Sequence, residues 1–581
     1  MIDLPAEVWG EIFALAADED VLFQYISPTV MAEYAWYEDL VPGSAQDGQG
    51  DSDEDGDFVW ALRSPQEALN LIQRRSYATK KAIILTCKLF HKLGSELFFR
   101  CLFFKNPTRL QSICQILDAS SVKATTLTSS IGWWTRRIHL SSPEKTGVRT
   151  ASLSPITRVE NALVSVIHHC PNLEIFLAEW PMGSSFGPIA DALTTFARKS
   201  LQTIHWCIPC EALPRVIWAL NYLPHLVSVT LDFYEPASDL DEITNLGAAG
   251  DLQLDLPNLQ QLSLKGYFQE FLEQASGWNL PSLRSFSFHS VIRQMDQPQP
   301  DLIAFLTQHG LQLRFLDLNS HQSLDVPKIL DLCPVLLTFA FNADWIIRPV
   351  ASNQPNQISL PSMTPLVNNP HHHIRVIGLH GLTHAFGVSS SIRTQSRDPI
   401  ASFVACSWND MNFTACNKTN FPKLQRIRVL NSEVLEDLNR ENGPTKEDGG
   451  FDRWEKWWNL CQRMNVRLED CTGDVLGTLP EAEDDELSDD DEYDDDEDSE
   501  EGESEYETGE EDYDDDDEDG EPRSVKKKKK GLPGWKYTAF SNSREQSPHV
   551  SELRQLLEEC RAMAQERDES MIQGIGALQL N

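Results

Sequence analysis

The stretch that decides the fold is Pro257-Asn-Leu259-Gln-Gln-Leu262-Ser-Leu264, a proline followed by three apolar residues at fixed spacing. Side chains two positions apart lie on the same face of a β-strand, so Leu262 and Leu264 predict a short strand with one apolar face. The proline precedes the strand, where it removes no hydrogen bond from the sheet. The same apolar spacing recurs along the chain, beginning at Leu173, Leu201, Leu226, Leu283, Leu313, Leu336, Ile374 and Leu424.

Successive copies between Leu173 and Leu336 begin 23 to 33 residues apart. Helical patterns precede several of them, at 159–169, 212–222 and 301–308. Alternating helix, proline and strand is typical of a leucine-rich-repeat solenoid, here of irregular pitch. We therefore predict an α/β fold with such a solenoid over 106–435, including a poorer copy at Ile138–Leu140. A sheet of ordinary βα units is the alternative interpretation.

The charge of the chain is concentrated in one segment. The 581 residues include 88 acidic and 49 basic side chains, a net charge of −39. From Glu481 to Glu521 there are 29 acidic residues and no Lys or Arg. This composition predicts a disordered acidic and then lysine-rich region over 476–547. The net charge argues against binding to a nucleic-acid backbone, which requires clustered basic residues.

Several features predict an intracellular, nuclear or cytoplasmic protein. No apolar run approaches the roughly 18 residues that span a bilayer, so we expect no membrane partner. Asp3, Glu7 and Glu11 stand where a secretory signal needs positive charge. The 12 cysteines are scattered and do not suggest a disulfide scaffold. The lysine run at 526–530 is a candidate nuclear-import signal, or a counter-charge to the acidic run.

Two apolar stretches at the N-terminus carry a family resemblance. LPAEVWGEIFALA at 4–16 and AIILTCKLFHKLGSELFFRCLFF at 82–104 resemble the two halves of an F-box-like domain of the fungal type. Phe90 stands where the family usually has Trp. The resemblance implies a domain over 1–105, split by a flexible acidic insertion at about 18–76. The alternative is a two-helix cap for the repeats.

The resemblance also implies a partner and a function. Seven residues would dock on the Skp-type adaptor of a cullin–RING ubiquitin ligase: Leu4, Pro5, Val8, Ile12, Phe13, Leu85 and Cys87. The chain would then be a non-enzymatic substrate receptor, with a protein substrate on the repeat surface. Strand alternation places five candidate substrate-facing residues on the exposed side of the strands: Asp232, Lys265, His289, Asp317 and Asn319.

Two sequence patterns partly match a catalytic serine and a zinc site, and both matches are incomplete. Gly183-Ser-Ser185-Phe-Gly187 matches a nucleophile elbow, but Pro181 interrupts the strand that should lead into the serine. His205, Cys207 and Cys210 lack a fourth ligand and a paired spacing for zinc. We expect no enzyme activity, cofactor or metal site.

The C-terminal third adds two predicted helices and a rival function. A tryptophan-rich region over 436–475 is expected to cap the last repeat. Apolar residues at coiled-coil spacing predict a docking helix over 548–573, too short for a stable coiled coil. Leucine-rich repeats followed by an acidic tail also resemble acidic nuclear proteins that bind histones or other basic partners. In that interpretation the acidic tail is the binding element.

Overall fold

The structure is a computed structural model, and it describes residues 4–40, 58–105, 109–123, 130–141, 159–234, 246–266, 269–290, 302–320, 322–347, 366–382, 385–386, 399–432, 434 and 451–476. These residues belong to one compact unit, Met1–Glu486. The acidic run, the lysine run and the predicted C-terminal helix lie outside the described residues.

Twelve strands of the described chain form one sheet, in which every hydrogen-bonded pair is parallel. Their order in the sheet follows their order in the chain. The predicted mixed α/β class is confirmed. The strands are β3 (Cys101–Phe104), β4 (Arg137–Leu140), β5 (Ile175–Pro181), β6 (Thr203–Pro209), β7 (Ser228–Tyr234), β8 (Gln261–Gly266), β9 (Ser285–Ser290), β10 (Phe315–Ser320), β11 (Thr338–Asn342), β12 (Val376–His380), β13 (Arg426–Val429) and β14 (Arg467–Glu469).

The apolar spacing read from the sequence coincides with these strands. In each of the nine copies the second and third apolar residues lie on one of the strands β5 to β13 and the first lies two residues before that strand, and all three side chains are at most 1% exposed. Leu259, Leu262 and Leu264, for example, belong to one continuous core that runs from Leu102 to Leu476. Burial of a leucine of this kind contributes about 1.5–3 kcal/mol to folding, so the pattern specifies the core directly.

Helices connect most successive strands of the sheet and contact their neighbours in the chain, as α5 contacts α6 and α7 contacts α8. None of the helices in the described part is long and apolar enough to cross a membrane. The connecting helices are α5 (Leu110–Lys123), α6 (Glu160–His169), α7 (Phe186–Phe196), α8 (Leu213–Asn221), α9 (Gln269–Ala275), α10 (Leu302–His309), α11 (Val326–Leu332), α12 (Pro399–Ala415) and α13 (Phe451–Met464).

The sheet extends beyond both predicted ends of the repeat region. At its start, β3 lies inside the stretch assigned to the N-terminal domain. At its end, α13 carries the tryptophans but leads into a further parallel strand, β14. Trp457 stacks on Phe413 of α12 with ring centroids 4.0 Å apart. The predicted terminal cap is therefore a connecting helix, which buries Trp454, Trp457 and Cys461.

In the described part of the chain before the sheet there are four helices and one pair of strands. They are α1 (Ala6–Ala16), α2 (Glu19–Leu22), β1 (Ala35–Leu40), β2 (Phe58–Arg63), α3 (Pro65–Thr86) and α4 (Lys88–Phe99), with β1 and β2 antiparallel.

The flexible insertion predicted over 18–76 is wrong for 18–40 and 58–76, which contain α2, β1, β2 and the first half of α3, and residues 41–57 lie outside the described residues. Helix α3 begins at Pro65, well before the apolar block. Ser64 and Glu67 cap that start reciprocally, each side chain accepting a hydrogen bond from the backbone of the other. This capping box satisfies otherwise unpaired N–H groups at the start of the helix.

Candidate binding face

The side of the sheet opposite the buried apolar positions carries mostly polar side chains, and we call it the polar face. The parallel register aligns these side chains in rows across the strands. His289 of β9 lies opposite Asn319 of β10, and Asn342 of β11 lies opposite His380 of β12. The row beneath contains Asp317, which lies opposite Ala340 of β11. The sheet thus brings together residues that are far apart in sequence.

Two histidines converge on one carboxylate at the centre of the polar face. The Nε2 of His289 lies 2.6 Å from Oδ2 of Asp317, and the Nε2 of His380 lies 2.7 Å from Oδ1 of the same residue. The two imidazole rings approach edge to face, with centroids 5.4 Å apart. Asp317 is 1% exposed. Both carboxylate oxygens are therefore occupied by imidazole nitrogens in a nearly dry environment.

Small residues allow His380 to reach Asp317 from two strands away. In the row of Asp317, the residue on β11 is Ala340 and the residue on β12 is Gly378. A Cβ on Gly378 would lie 2.9 Å from the Ala340 Cβ and 2.8 Å from the Met31 sulfur. Real side chains essentially never come this close, so any larger residue at this position would force Ala340 or the Met31 side chain to shift. Because Ala340 and Gly378 are small, the space above them on β11 and β12 is open to the imidazole of His380.

The cluster also shifts the charge states of its members. Burial alone would raise the pKa of Asp317, but the charges and hydrogen bonds of His289 and His380 outweigh it and hold that pKa well below its usual range. Burial would lower the pKa of His289, but the Asp317 carboxylate reverses this and raises it. The arrangement favours an ionised carboxylate beside a protonated imidazole.

The five predicted substrate-facing residues lie on the polar face, but not all are accessible. Lys265 is exposed and its Nζ lies 3.3 Å from Oδ2 of Asp232. Asn319 accepts a hydrogen bond from the Asn342 amide at 3.1 Å. Asp317 was expected to face solvent, and this is wrong because His289 and His380 flank it. Alternation predicts the face on which a residue lies and not the neighbours that cover it.

Residues 22–34, which we call the strap, cross the polar face near the N-terminal ends of the strands. The Arg137 guanidinium donates to the Leu22 carbonyl, and the Thr203 hydroxyl donates to the Tyr25 carbonyl. Both of these sheet residues are the first of their strands and are 2% exposed. At β4 and β6 the first row of the polar face is therefore covered by the chain itself.

The far end of the strap is held by a buried ion pair. Arg428 donates to the Met31 carbonyl at 2.7 Å and to the Glu469 carboxylate at 2.7 Å. Arg428 is 3% exposed and Glu469 is 1% exposed. The Tyr34 amide then donates to the Cys471 carbonyl at 3.0 Å. The strap thus extends from β4 to the loop after β14.

The N-terminal helices have an apolar cluster separate from the main core. Phe13 of α1 packs edge to face on Phe90 of α4, with centroids 4.9 Å apart, and Trp9 lies tilted against the same ring, with centroids 4.7 Å apart. Other apolar side chains of this module point to solvent: Leu85 is 71% exposed and Leu89 is 50% exposed. These helices therefore leave part of their apolar surface uncovered by the described residues.

The structure separates the seven predicted adaptor-binding residues by exposure. Phe13 is 4% exposed and belongs to the internal cluster, so its prediction as a contact residue is wrong. Leu4 and Ile12 are partly exposed. The remaining four are exposed: Pro5, Val8, Leu85 and Cys87.

The two weak chemical patterns do not become sites. Ser185 lies in a short 3-10 turn before α7, and its side chain is fully buried without a hydrogen bond. His205, Cys207 and Cys210 are not gathered around a common point. Within the described ranges, His289, Asp317 and His380 form the group whose potential ligand atoms all lie within 4.8 Å of one another.

His380 is the member of this cluster that the sequence analysis missed, although a signal was present. It follows Leu379 in the same way that His289 follows Phe288, so the same alternation rule assigns it to the polar face. The long interval between Phe341 and Ile374 obscured the register. The strap carried no signal, because its contacts are with residues far along the chain.

No family model matches the chain, and no curated protein matches it. Among solved structures, a crystal structure of a protein from Bacteroides fragilis aligns with 78% of this chain and 96% of its own, at 9% sequence identity and a TM-score of 0.28. A likeness at that TM-score carries no argument about fold or function.

Proposed function

We propose that this protein is a substrate-recognition subunit of a Skp–cullin–F-box type ubiquitin ligase. The helices α1, α3 and α4 would form its F-box-like module, and the parallel sheet with its helices would be an irregular leucine-rich-repeat solenoid. The module binds the adaptor, and the polar face holds a protein substrate. The protein itself performs no chemistry in this proposal.

The observation that carries the proposal is the exposure of leucines on the N-terminal helices. Leu85 lies in the last turn of α3 and Leu89 in the first turn of α4, and the Cys87 sulfur between them accepts a hydrogen bond from the Phe90 amide. Exposed leucine side chains on consecutive helices offer an apolar surface for another polypeptide. The internal contacts of Phe13 and Phe90 keep the helices together without using that surface.

The mechanism would be proximity. A receptor that holds a substrate near the ligase raises the effective concentration of its lysines at the catalytic partner. This requires a fixed relation between the two binding surfaces. The strap supports such a relation, since it follows α2 directly and is hydrogen-bonded to strands from β4 to β13.

The proposal is tested by substitutions on the N-terminal helices, with an exposed leucine elsewhere as the control. We expect Leu85→Asp to abolish co-purification with a Skp-type adaptor, and the Leu4→Ala, Pro5→Ala double variant to do the same. Leu311, which is 67% exposed in the turn after α10, gives the matched control Leu311→Asp. Adaptor binding unchanged by Leu85→Asp, or absent in the unaltered protein, would count against the proposal.

The acidic run supports the rival function, in which the protein binds histones or other basic partners. Deletion of 481–521 separates the two functions in a single preparation. Loss of a basic partner with adaptor binding intact would favour the rival. Retained substrate binding after the deletion would favour the receptor.

A further inference from the structure

We propose that His289, Asp317 and His380 form a binding site for a divalent transition-metal ion, with zinc as the preferred ion. The ligand atoms are the Nε2 of each histidine and the carboxylate of Asp317. This inference does not depend on the proposed function, because it rests on three residues of the sheet and not on the N-terminal helices.

The geometry is close to that of a metal site. The three ligand atoms lie within 4.8 Å of one another, and the two nitrogen–oxygen distances are 2.6 and 2.7 Å. Zinc bonds of about 2.0–2.1 Å in a tetrahedron place ligand atoms about 3.3 Å apart. The two nitrogens contact different oxygens of the carboxylate, so one ion bound to both would replace the two hydrogen bonds and bring ligand atoms that are now up to 4.8 Å apart to about 3.3 Å.

The chemistry of the ligands selects the class of ion. Two imidazole nitrogens and one carboxylate suit zinc and similar transition metals, whereas magnesium and calcium prefer oxygen ligands alone. The strands β9, β10 and β12 fix the three backbones in one sheet, so little ordering is required on binding. The burial of Asp317 and His380 excludes competing water from two of the ligands.

Access to the site is from the side of His289, whose side chain is 28% exposed. Three protein ligands leave a fourth tetrahedral position open to water. The neighbouring amide oxygens are already engaged, since Asn319 accepts from Asn342 and Asn342 accepts from the Asp344 amide.

Cobalt titration of the full chain tests the inference. Tetrahedral Co²⁺ absorbs visible light much more strongly than octahedral Co²⁺ held by carboxylates and water, so the spectrum distinguishes this site from binding to the acidic run. We expect one strongly absorbing Co²⁺ per chain, displaced by one equivalent of Zn²⁺. His289→Gln and His380→Gln should each weaken this binding by more than about 100-fold.

The matched control is His372→Gln, which alters an exposed histidine away from the cluster. Circular dichroism establishes that each variant is folded, and the more exposed position of His289 makes its variant the safer of the two. An intense band that disappears in both cluster variants and persists in the control supports the site. Absence of the band from the unaltered protein, or its persistence in both cluster variants, overturns the inference.

Discussion

The side-chain amide of Gln261 forms hydrogen bonds with both the backbone N–H and the backbone carbonyl of Ser27. Its Oε1 accepts from the Ser27 amide at 2.9 Å, and its Nε2 donates to the Ser27 carbonyl at 3.1 Å, across 234 positions of sequence. The same Oε1 accepts from the Ser228 hydroxyl at 2.8 Å. One buried amide thus joins the strap to two strands of the sheet.

Gln261→Ala should release the centre of the strap. The variant leaves the amide and carbonyl of Ser27 without their partner, and we expect a loss of about 1–3 kcal/mol in the local stability of the strap. Hydrogen exchange at the Ser27 amide measures it directly. The control is Gln260→Ala, since that neighbouring side chain is exposed. Equal exchange rates in the two variants would show that Gln261 does not hold the strap.

Glu19→Gln should destabilise the N-terminal helices. Glu19 bridges Lys80 at 2.8 Å and Arg100 at 2.9 Å, and the Lys80 side chain is 2% exposed. Removal of the carboxylate leaves a buried ammonium without its counter-charge, which costs about 3–5 kcal/mol. Chemical denaturation followed by circular dichroism measures the change.

The adjacent residue provides the control for that variant. Asp18 pairs with Arg75, whose side chain is 60% exposed, so Asp18→Asn should cost less than about 1 kcal/mol. Equal losses in the two variants would mean that burial of the Glu19 pair has no energetic effect.

Gly266→Ala should disrupt the end of β8. Gly266 has φ of +98°, and a Cβ there would lie 1.8 Å from the Phe233 carbonyl oxygen. The backbone must shift, and we expect a loss of more than about 2 kcal/mol. Thermal unfolding measures it. Gly10→Ala is the contrasting variant, because α1 has open space at Gly10 and alanine there should stabilise the helix by about 0.5–1 kcal/mol.

Acidification should destabilise the protein through His139. Burial lowers the pKa of His139, and Arg137 and His205 add to this, while Glu179 opposes it. The ring nitrogens lie 2.9 Å from the Gln73 Oε1 and 3.1 Å from the Glu179 Oε1.

The sign of the pH effect follows from this lowered pKa. As the pH falls through about 6.5, the unfolded chain binds a proton at this histidine while the folded chain does not. The free energy of unfolding should therefore decrease by up to about 1.4 kcal/mol per pH unit from this residue. His139→Gln should reduce the slope between pH 7 and 5. An unaltered slope in His139→Gln would show that His139 does not cause the loss of stability at low pH.

The local pattern of the sequence determined the strands and their buried positions. Leu259, Leu262 and Leu264 could be placed in the core from spacing alone, because a strand alternates its side chains with a period of two whatever surrounds it. The same rule assigned Asp232 and Lys265 to the opposite face. The capping box at Ser64 and Glu67 was equally legible, and would have moved the start of α3 to Pro65.

Only the tertiary structure decided what lies on top of the polar face. Asp317 is buried because His380, 63 residues later, extends across the small residues of β11 and β12. The path of the strap depends on partners more than a hundred positions away, such as Arg137 and Gln261. Periodicity constrains a residue relative to its own strand, whereas these contacts depend on how the strands are stacked, which no local pattern encodes.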